Sequence, residues 1–456
     1  MSDLIAAVAT APGAGGVGIL RLSGPKAAET AARVFRPARK ISLAEAPDRQ
    51  LLYGSVLDKE GRVIDNGLAF VSRAPHSYTG EETAELQCHG SPMVLSLALE
   101  ALFAAGARQA LAGEFTKRAF LNGRLDLTQA EAVIDLIDAE TPAAARQAAG
   151  RLEGTLSRKI REIYDGLVDV SAHFHAVLDY PDEDIDPFRE ETIRTALDRG
   201  LSATANLLAT YDRGRQLTSG VPTTILGRPN VGKSSLLNAL VGYDRAIVTQ
   251  IPGTTRDTIE AKASVGGVLL NLTDTAGLRE TGDEAERLGV QRSRAAAEEA
   301  RLVLLVLDGA EGLTQEDGQA IALALDAPAC ICIVNKSDLP PVLDMEALEK
   351  DFPHICQVSA KNNAGLEALG PMVAKLFPTG SGSECEALLT NARQVEAVTR
   401  TRENLLRAQE GLEMGVPPDL LLTDIEGALD ALGEVTGTTV REDITGRIFQ
   451  RFCVGK

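Results

Sequence analysis

The sequence predicts a small α+β domain at the N-terminus, followed by a helical domain into which an α/β domain is inserted. Three patterns predict this arrangement. Short alternating apolar runs bounded by glycine occupy residues 1–118, and helical periodicity occupies residues 119–218 and returns in 379–456. Buried-type strands alternate with helices in residues 219–378, which is typical of a parallel sheet with helices on both faces.

The short runs of the first domain are VGILRLSG, YGSVLD, NGLAFVSR and TAELQCHG, which predict strands. Within the same domain, SPMVLSLALEALFAAG predicts a helix that ends at Gly106. YPDEDIDP predicts a solvated break between two helices, and PTGSGSE, from Pro378 to Glu384, predicts a linker. The strands predicted for the α/β domain are TTILG, LLNLTD, RLVLLVLD, CICIVNK and HICQVSA.

Composition limits the classes of partner. With 46 basic and 64 acidic residues the formal net charge is 46 − 64 = −18, so RNA must meet a local basic patch or arrive through another protein. No apolar run approaches the ~20 residues of a membrane span, and MSDLIAAVAT lacks the basic start of a secretory signal. Six cysteines without disulfide or zinc spacing predict a reduced, cytoplasmic protein.

GRPNVGKS, from Gly227 to Ser234, fits the phosphate-binding pattern G-x-x-x-x-G-K-[ST]. The glycines allow backbone N–H groups to surround phosphates, Lys233 pairs with β- and γ-phosphate oxygens, and Ser234 ligates Mg²⁺. A turn rich in Gly and Lys can match this pattern by chance. The preceding strand TTILG and the following helix SLLNALVG favour phosphate binding.

Four later segments complete a GTP site. Asp274 ends a strand and can hold a water of the magnesium ion, while Gly277 can donate to the γ-phosphate. NKSD ends in Asp338, whose carboxylate can accept two hydrogen bonds from guanine that adenine cannot donate. SAK, Ser359–Lys361, backs the base, and TQIPGTTRD supplies Thr255 as a second magnesium ligand. The predicted GTP-binding residues are Asn230, Val231, Gly232, Lys233, Ser234, Ser235, Thr249, Gln250, Ile251, Pro252, Gly253, Thr254, Thr255, Asp274, Thr275, Ala276, Gly277, Asn335, Lys336, Ser337, Asp338, Ser359, Ala360 and Lys361.

One residue departs from the Ras-type pattern. Leu278 follows DTAG where Ras-type GTPases have a glutamine that orients the attacking water. An apolar side chain cannot do this, so another group must hold the water.

GTTRD, DTAGLRE and FCVGK, together with GVGILRLSG and GEFTKRAFLNGRLDLTQAEAV, resemble the MnmE (TrmE) family of tRNA-modifying GTPases over the whole chain. The resemblance implies an α/β P-loop GTPase domain inserted into an α-helical domain and preceded by a small α+β domain. It implies a homodimer that forms a heterotetramer with MnmG, a flavoprotein carrying FAD. The pair would convert the wobble uridine (U34) of certain tRNAs to a 5-carboxymethylaminomethyl- or aminomethyl-type uridine, using 5-formyl- or 5,10-methylene-tetrahydrofolate.

The resemblance also assigns residues. Folate contacts fall on Arg21, Glu85, Arg124 and Lys456; the family often has lysine where this chain has Arg124. A potassium site falls on Asn230, Thr249, Ile251 and Thr254, and the cation would act with Asn230 and Lys233 in catalysis. Glu286 would position the water through a second water, which relieves Leu278 of that task.

Alternatives remain open at the level of sequence. Glu286 could be a solvated helix residue and Arg21 an exposed strand residue. Cys453 could be a nucleophile or a small packed side chain, whereas Cys330 and Cys332 share one face of a strand and are expected to pack as apolar residues. The alternative function is a ribosome-assembly GTPase of the Era or EngA kind, although one P-loop and no G-x-x-G after Asp338 favour the MnmE-type function.

Overall fold

The computed structural model describes residues 3–179, 190–243, 261–274, 294–379, 385–439, 448–450 and 452–455. Within these ranges no helix is both long and apolar enough to cross a lipid bilayer. The chain divides into two compact units. The first comprises Met1–Ile134, Ile160–Val168 and Ile425–Lys456, and the second comprises Asp135–Lys159 and Asp169–Asp424.

The first unit contains a seven-stranded sheet in the order β3-β4-β5-β6-β2-β1-β7. Its neighbouring strands are antiparallel except for the parallel pair β1 and β7. The strands predicted from sequence are present, as is the helix that follows β6. The strands are β1 Ile5–Val8, β2 Gly15–Ser23, β3 Phe35–Pro37, β4 Leu52–Leu57, β5 Val63–Ser72, β6 Thr83–Gly90 and β7 Arg108–Gln109.

One face of this sheet is covered by two helices, α1 Ala27–Val34 and α2 Pro92–Ala104. Side chains of a strand alternate between faces, so Leu20 and Leu22 of β2 point into the core while Arg21 lies on the other side. Two further helices follow in this part of the chain, α3 Glu114–Leu121 and α4 Leu127–Ile137.

The second unit contains helices and a six-stranded sheet in the order β13-β12-β11-β8-β10-β9. The helices that precede the sheet in the chain are α5 Pro142–Leu152, α6 Thr155–Asp179, α7 Glu190–Ala209 and α8 Tyr211–Ser219, and Ile160–Val168 of α6 belong to the first unit. The strands are β8 Val221–Leu226, β9 Ala261–Val265, β10 Val268–Asp274, β11 Leu302–Asp308, β12 Cys330–Asn335 and β13 Ile355–Gln357. The remaining helices are α9 Lys233–Tyr243, α10 Gln315–Leu325, α11 Met345–Asp351, α12 Leu369–Leu376, α13 Ala392–Glu413 and α14 Pro418–Thr436, the last crossing into the first unit.

The central strand β11 shows why this sheet is covered on both faces. All seven of its residues are buried. Leu304 and Val306 pack into one hydrophobic cluster, and Val303 and Leu305 pack into another on the opposite face. Such a continuous apolar strand is the signature of a parallel sheet between two helical layers.

The sheet is not wholly parallel, because β9 runs antiparallel to β10 at the edge. Strand β9 was not predicted from the sequence. Gly266 and Gly267 separate the paired residues Val265 and Val268 and have φ values of 62° and 79°. Two consecutive residues at positive φ form the tight hairpin turn that glycines favour, so the GG pair was the available signal.

Candidate functional site

The described nucleotide motifs, which are the phosphate-binding loop, NKSD and SAK, lie at one edge of the six-stranded sheet, beyond the carboxyl ends of its parallel strands. The parallel strands β8, β11 and β12 end at Leu226, Asp308 and Asn335, and Asp274 at the end of β10 lies opposite Ile225 of β8. In an open α/β sheet, ligands bind beyond the carboxyl ends of the parallel strands. Strand direction therefore brings together motifs that are about a hundred residues apart in sequence.

The phosphate-binding loop requires two of its glycines. Gly227 has φ of 147°, and a Cβ there would lie 2.3 Å from the backbone oxygen of Val306. Gly232 has φ of 100°, and a Cβ there would lie 2.2 Å from Nδ2 of Asn335. Any other residue would push the loop away from the sheet edge. Asn230 also has positive φ, 65°, a conformation that asparagine tolerates better than most residues.

The ammonium group of Lys233 is held inside this loop. Its Nζ donates to the backbone oxygens of Gly227 at 2.7 Å and Arg228 at 2.9 Å, and the residue is 7% exposed. Lys233 begins α9, followed by Ser234 and Ser235, so the first N–H groups of the helix face the loop. This is an arrangement in which phosphate oxygens can replace the two carbonyls as partners of a buried cation.

Asn335 connects the phosphate-binding loop to the SAK segment. Its Nδ2 donates to the backbone oxygen of Val231 at 2.8 Å, and its Oδ1 accepts from the N–H of Ala360 at 3.0 Å. The residue is 4% exposed. Both ends of the buried amide are thus satisfied, which fixes the spacing between the two loops.

The carboxylate of Asp338 is accessible and ionised. Ser359 donates its Oγ–H to Asp338 Oδ1 at 2.7 Å, and Ser337 donates its N–H to the backbone oxygen of Val358. The hydrogen bond from Ser359, aided by the charges of Lys361 and Lys336, lowers the pKa of Asp338 below its usual value. A fixed negative acceptor at this position suits a ligand that offers adjacent N–H donors.

Two charged residues at this edge were not identified from sequence. Arg228 occupies a variable position of the loop pattern, and Asp308 is the last residue of the apolar run RLVLLVLD. Lys336 Nζ lies 2.5 Å from Asp308 Oδ2, and Arg228 Nη2 lies 3.9 Å from the same oxygen. An acid that ends a buried strand at the ligand-binding edge was the signal that could have found Asp308.

Several predicted site residues lie outside the described part of the chain, and Asp274 is described in its backbone only. Those outside are Thr249, Gln250, Ile251, Pro252, Gly253, Thr254, Thr255, Thr275, Ala276, Gly277, Glu286 and Lys456.

In the first unit, Arg21 and Glu85 are direct cross-strand neighbours on β2 and β6. Arg21 Nε donates to Glu85 Oε1 at 2.7 Å, and the side chains are only 21% and 16% exposed. The Arg21 guanidinium also lies 5.4 Å from the ring centre of Tyr78 and 5.9 Å from that of Phe115. Two residues assigned by resemblance alone are therefore in contact, and the guanidinium of Arg21 also lies close to two aromatic rings.

Arg124 and the C-terminal tail lie in the same unit. A Cβ on Gly80, two residues after Tyr78, would be 3.2 Å from Cγ of Arg124. The tail pairs with the chain before α3, because Ala112 and Val454 form an antiparallel bridge and Gly113 donates its N–H to the backbone oxygen of Cys453.

The cysteines of β12 are packing residues, as expected. Cys332 is buried and Cys330 is half-buried in one hydrophobic cluster, and burial raises the pKa of each thiol to about 12. Neither is reactive at neutral pH. Cys453 is exposed.

Together, the sheet, the phosphate-binding loop and the Asn335–Asp338 segment define a P-loop nucleotide-binding protein of the GTPase class. Two family descriptions match the chain: "GTP-binding protein TrmE N-terminus" over residues 4–124 and "MnmE helical domain" over residues 127–453. The chain belongs to the MnmE (TrmE) family of tRNA modification GTPases.

Individual proteins agree with this assignment. The chain is 45% identical over 456 residues to the tRNA modification GTPase MnmE of Symbiobacterium thermophilum, covering 100% of this chain and 99% of that protein. It is 44% identical over 468 residues to the protein of the same name from Moorella thermoacetica, covering both chains completely. A solved structure of Aquifex aeolicus Era bound to GDP·AlF4⁻ is 26% identical, covers 40% of this chain and 66% of that chain, and has a TM-score of 0.28, too low to bear on the fold.

Proposed function

We propose that this protein hydrolyses GTP at the carboxyl edge of the six-stranded sheet and uses the hydrolysis in modifying tRNA. The observation that supports the site most directly is the geometry of Asn335, which joins the phosphate-binding loop to the segment facing Asp338. One nucleotide can then place its phosphates at Lys233 and its guanine at Asp338. Match to the family over the full chain favours this function over ribosome assembly.

Each described residue has a separate task in this proposal. Backbone N–H groups from Asn230 to Ser235 surround the phosphates, and Lys233 neutralises the β- and γ-phosphate oxygens. Asp338 accepts from guanine, while Ser359 keeps its carboxylate ionised and oriented. Ser234 would hold Mg²⁺ with Thr255, and the ion would supply positive charge to the phosphates.

Hydrolysis would depend on groups supplied by the segments 249–255 and 275–286. Asn230, with Thr249, Ile251 and Thr254, would hold K⁺ where other GTPases place an arginine finger. Glu286 would orient the water that Leu278 cannot bind. Potassium should therefore accelerate GTP turnover, and sodium should not. Equal rates in the two salts at matched ionic strength would contradict the potassium site.

The first unit is proposed to bind a tetrahydrofolate one-carbon carrier. Arg21 and Glu85 form a half-buried polar pair next to Tyr78, and Arg124 lies beside the same loop. Such a surface offers charged groups for the polar edges of a pterin and an aromatic ring for its face. Lys456 would extend this site from the tail.

The complete tRNA modification would require further partners in addition to the two proposed sites. We propose a homodimer that assembles with an FAD-carrying MnmG protein and acts on U34 of certain tRNAs. Mass analysis of tRNA nucleosides from cells lacking the protein should show loss of the aminomethyl-type wobble uridine. Wild-type chain should restore it, whereas Lys233→Ala should not. Unchanged nucleosides in the deletion strain, or restoration by Lys233→Ala, would overturn the proposal.

A further inference from the structure

The side chain of Arg228 connects the phosphate-binding loop to the segment that follows β11. It is 15% exposed and is surrounded by acids. Its Nε lies 3.2 Å from Asp317 Oδ2, its Nη2 contacts Glu311, and Nη2 also lies 3.9 Å from Asp308 Oδ2. Asp317 in turn accepts the N–H of Thr314, the residue that caps the start of α10. The loop is thereby attached to a rigid helix end.

Asp308 lies between this arginine and the guanine-recognition segment. The residue is 4% exposed, and its Oδ2 lies 2.5 Å from Lys336 Nζ. Its Oδ1 accepts the N–H of Ala310 at 3.0 Å, which fixes the carboxylate. The carboxylate of Asp308 is therefore oriented by its hydrogen bonds from Lys336 and Ala310, and the charge of Arg228 attracts it from 3.9 Å.

Two sets of contacts join the phosphate-binding loop to the segment Asn335–Asp338. On one side Asn335 binds the backbone of Val231, and on the other Asp308 connects Arg228 to Lys336, the residue after Asn335. Lys336 has φ of 63°, a conformation that costs energy for lysine and persists only where contacts hold it. The phosphate loop and the base segment are therefore joined at two separate points.

We infer that Asp308 is a positioning residue for GTP, which acts through Arg228 and Lys336 to set the distance between the phosphate-binding loop and the guanine-binding carboxylate of Asp338. This inference rests on the proposed GTP site. It differs from a catalytic assignment, because Asp308 need not touch the nucleotide. Its effect is on how well one molecule reaches both loops at once.

Such a role predicts a particular kinetic signature. Binding of the whole nucleotide depends on the alignment of two loops, whereas hydrolysis of bound GTP depends on groups around the γ-phosphate. Loss of the Asp308 charge should weaken GTP and GDP binding while leaving turnover of saturated enzyme nearly unchanged. ADP, held mainly through its phosphates, should lose much less.

The test uses the full chain with the isosteric variant Asp308→Asn. We expect KM for GTP and Kd for GDP to rise about 10- to 100-fold, with kcat within about threefold of wild type. The ratio of GDP to ADP affinity should fall by a similar factor. Glu311→Gln is the matched control: Glu311 is 59% exposed and contacts Arg228 but not Lys336, so its KM should stay within about threefold.

A second variant keeps the inference testable if Asp308→Asn does not fold. Arg228→Gln removes the contact between the phosphate-binding loop and Asp308, and it should also raise KM with little change in kcat. The combined loss in the double variant should be smaller than the two single losses added as free energies, because both variants remove the Asp308–Arg228 contact. Additive losses, an unchanged GDP to ADP ratio, or a fall in kcat alone would overturn the positioning role. Normal GTP binding by Asp338→Asn would instead overturn the GTP site on which the inference rests.

Discussion

The two sheets of this protein present candidate binding residues in different ways. In the six-stranded sheet the residues lie in loops beyond the ends of parallel strands, so each motif is a short continuous stretch such as GRPNVGKS or NKSD. In the seven-stranded sheet Arg21 and Glu85 lie within antiparallel strands and meet by register, 64 residues apart in sequence. A site made of loops is visible in the sequence, and a site made by strand register is not.

The largest expected effect concerns the first unit, which contains the seven-stranded sheet. Deleting Cys453–Lys456 should abolish tRNA modification while GTP hydrolysis continues, because the tail pairs with Ala112 and Gly113 of the first unit and carries Lys456, which is proposed to bind folate. Nucleoside mass analysis and phosphate release should be measured on the same variant. If modification survives, or if both activities disappear together, the separation between the two sites is wrong.

The next effect tests the loop-built site. Asp338→Asn should lose GTP affinity by about 10³-fold and gain affinity for xanthosine triphosphate, since an amide donates where the carboxylate accepted. Titration with both nucleotides measures this exchange. GTP binding at the wild-type level would mean that the base is recognised elsewhere.

A smaller effect is expected for the water-positioning residue, which lies outside the described residues. Glu286→Ala should slow turnover by roughly 10²-fold with GTP affinity nearly intact. Glu284→Ala, two residues earlier, is the control and should behave like wild type. Normal turnover by Glu286→Ala, or a defect in the control alone, assigns the water to another group.

A weaker effect is expected for Arg21 and Glu85, the pair that strand register brings together in the proposed folate site. Glu85→Gln removes the charge that orients Arg21, and we expect binding of 5-formyl-tetrahydrofolate to weaken about 10-fold. Glu60→Gln, an exposed residue of the same domain that pairs with Arg62, should leave folate binding unchanged. Equal affinities of wild type and Glu85→Gln would remove Glu85 from the folate site.

The smallest effect concerns the free energy of unfolding of the first unit at acid pH. Burial acts to raise the pKa of Glu114, but hydrogen bonds from Arg108, the N–H of Leu111 and Arg118 outweigh it and lower the pKa to about 2. A depressed pKa in the folded state adds stability above the ordinary glutamate value of 4.5, and this stability is lost as pH falls towards about 2.

Glu114→Gln should therefore flatten the dependence of unfolding free energy on pH between about 5 and 2, as measured by urea unfolding. Glu45→Gln, at an exposed position, should keep the wild-type slope. Parallel curves for Glu114→Gln and wild type would show that the contacts with Arg108 and Arg118 do not favour the ionised carboxylate.

Most regular elements were predictable because their signals are local. The alternation in VGILRLSG and the continuous apolar run RLVLLVLD follow from which faces of a strand are buried, and both strands are present. Strand β9 was missed although the GG turn signals it. The spacing of the nucleotide motifs was also a local signal, since each motif follows its own strand.

The sequence by itself determined the class of the α/β unit and the chemistry of its loops, because backbone conformation and ligand type depend on residues within one short segment. Only the tertiary structure placed Arg21 against Glu85 and joined Arg228 to Lys336 through Asp308. These contacts join residues between 28 and 80 positions apart. Their partners are chosen by strand register and strand order, which depend on how the whole sheet packs rather than on any local pattern.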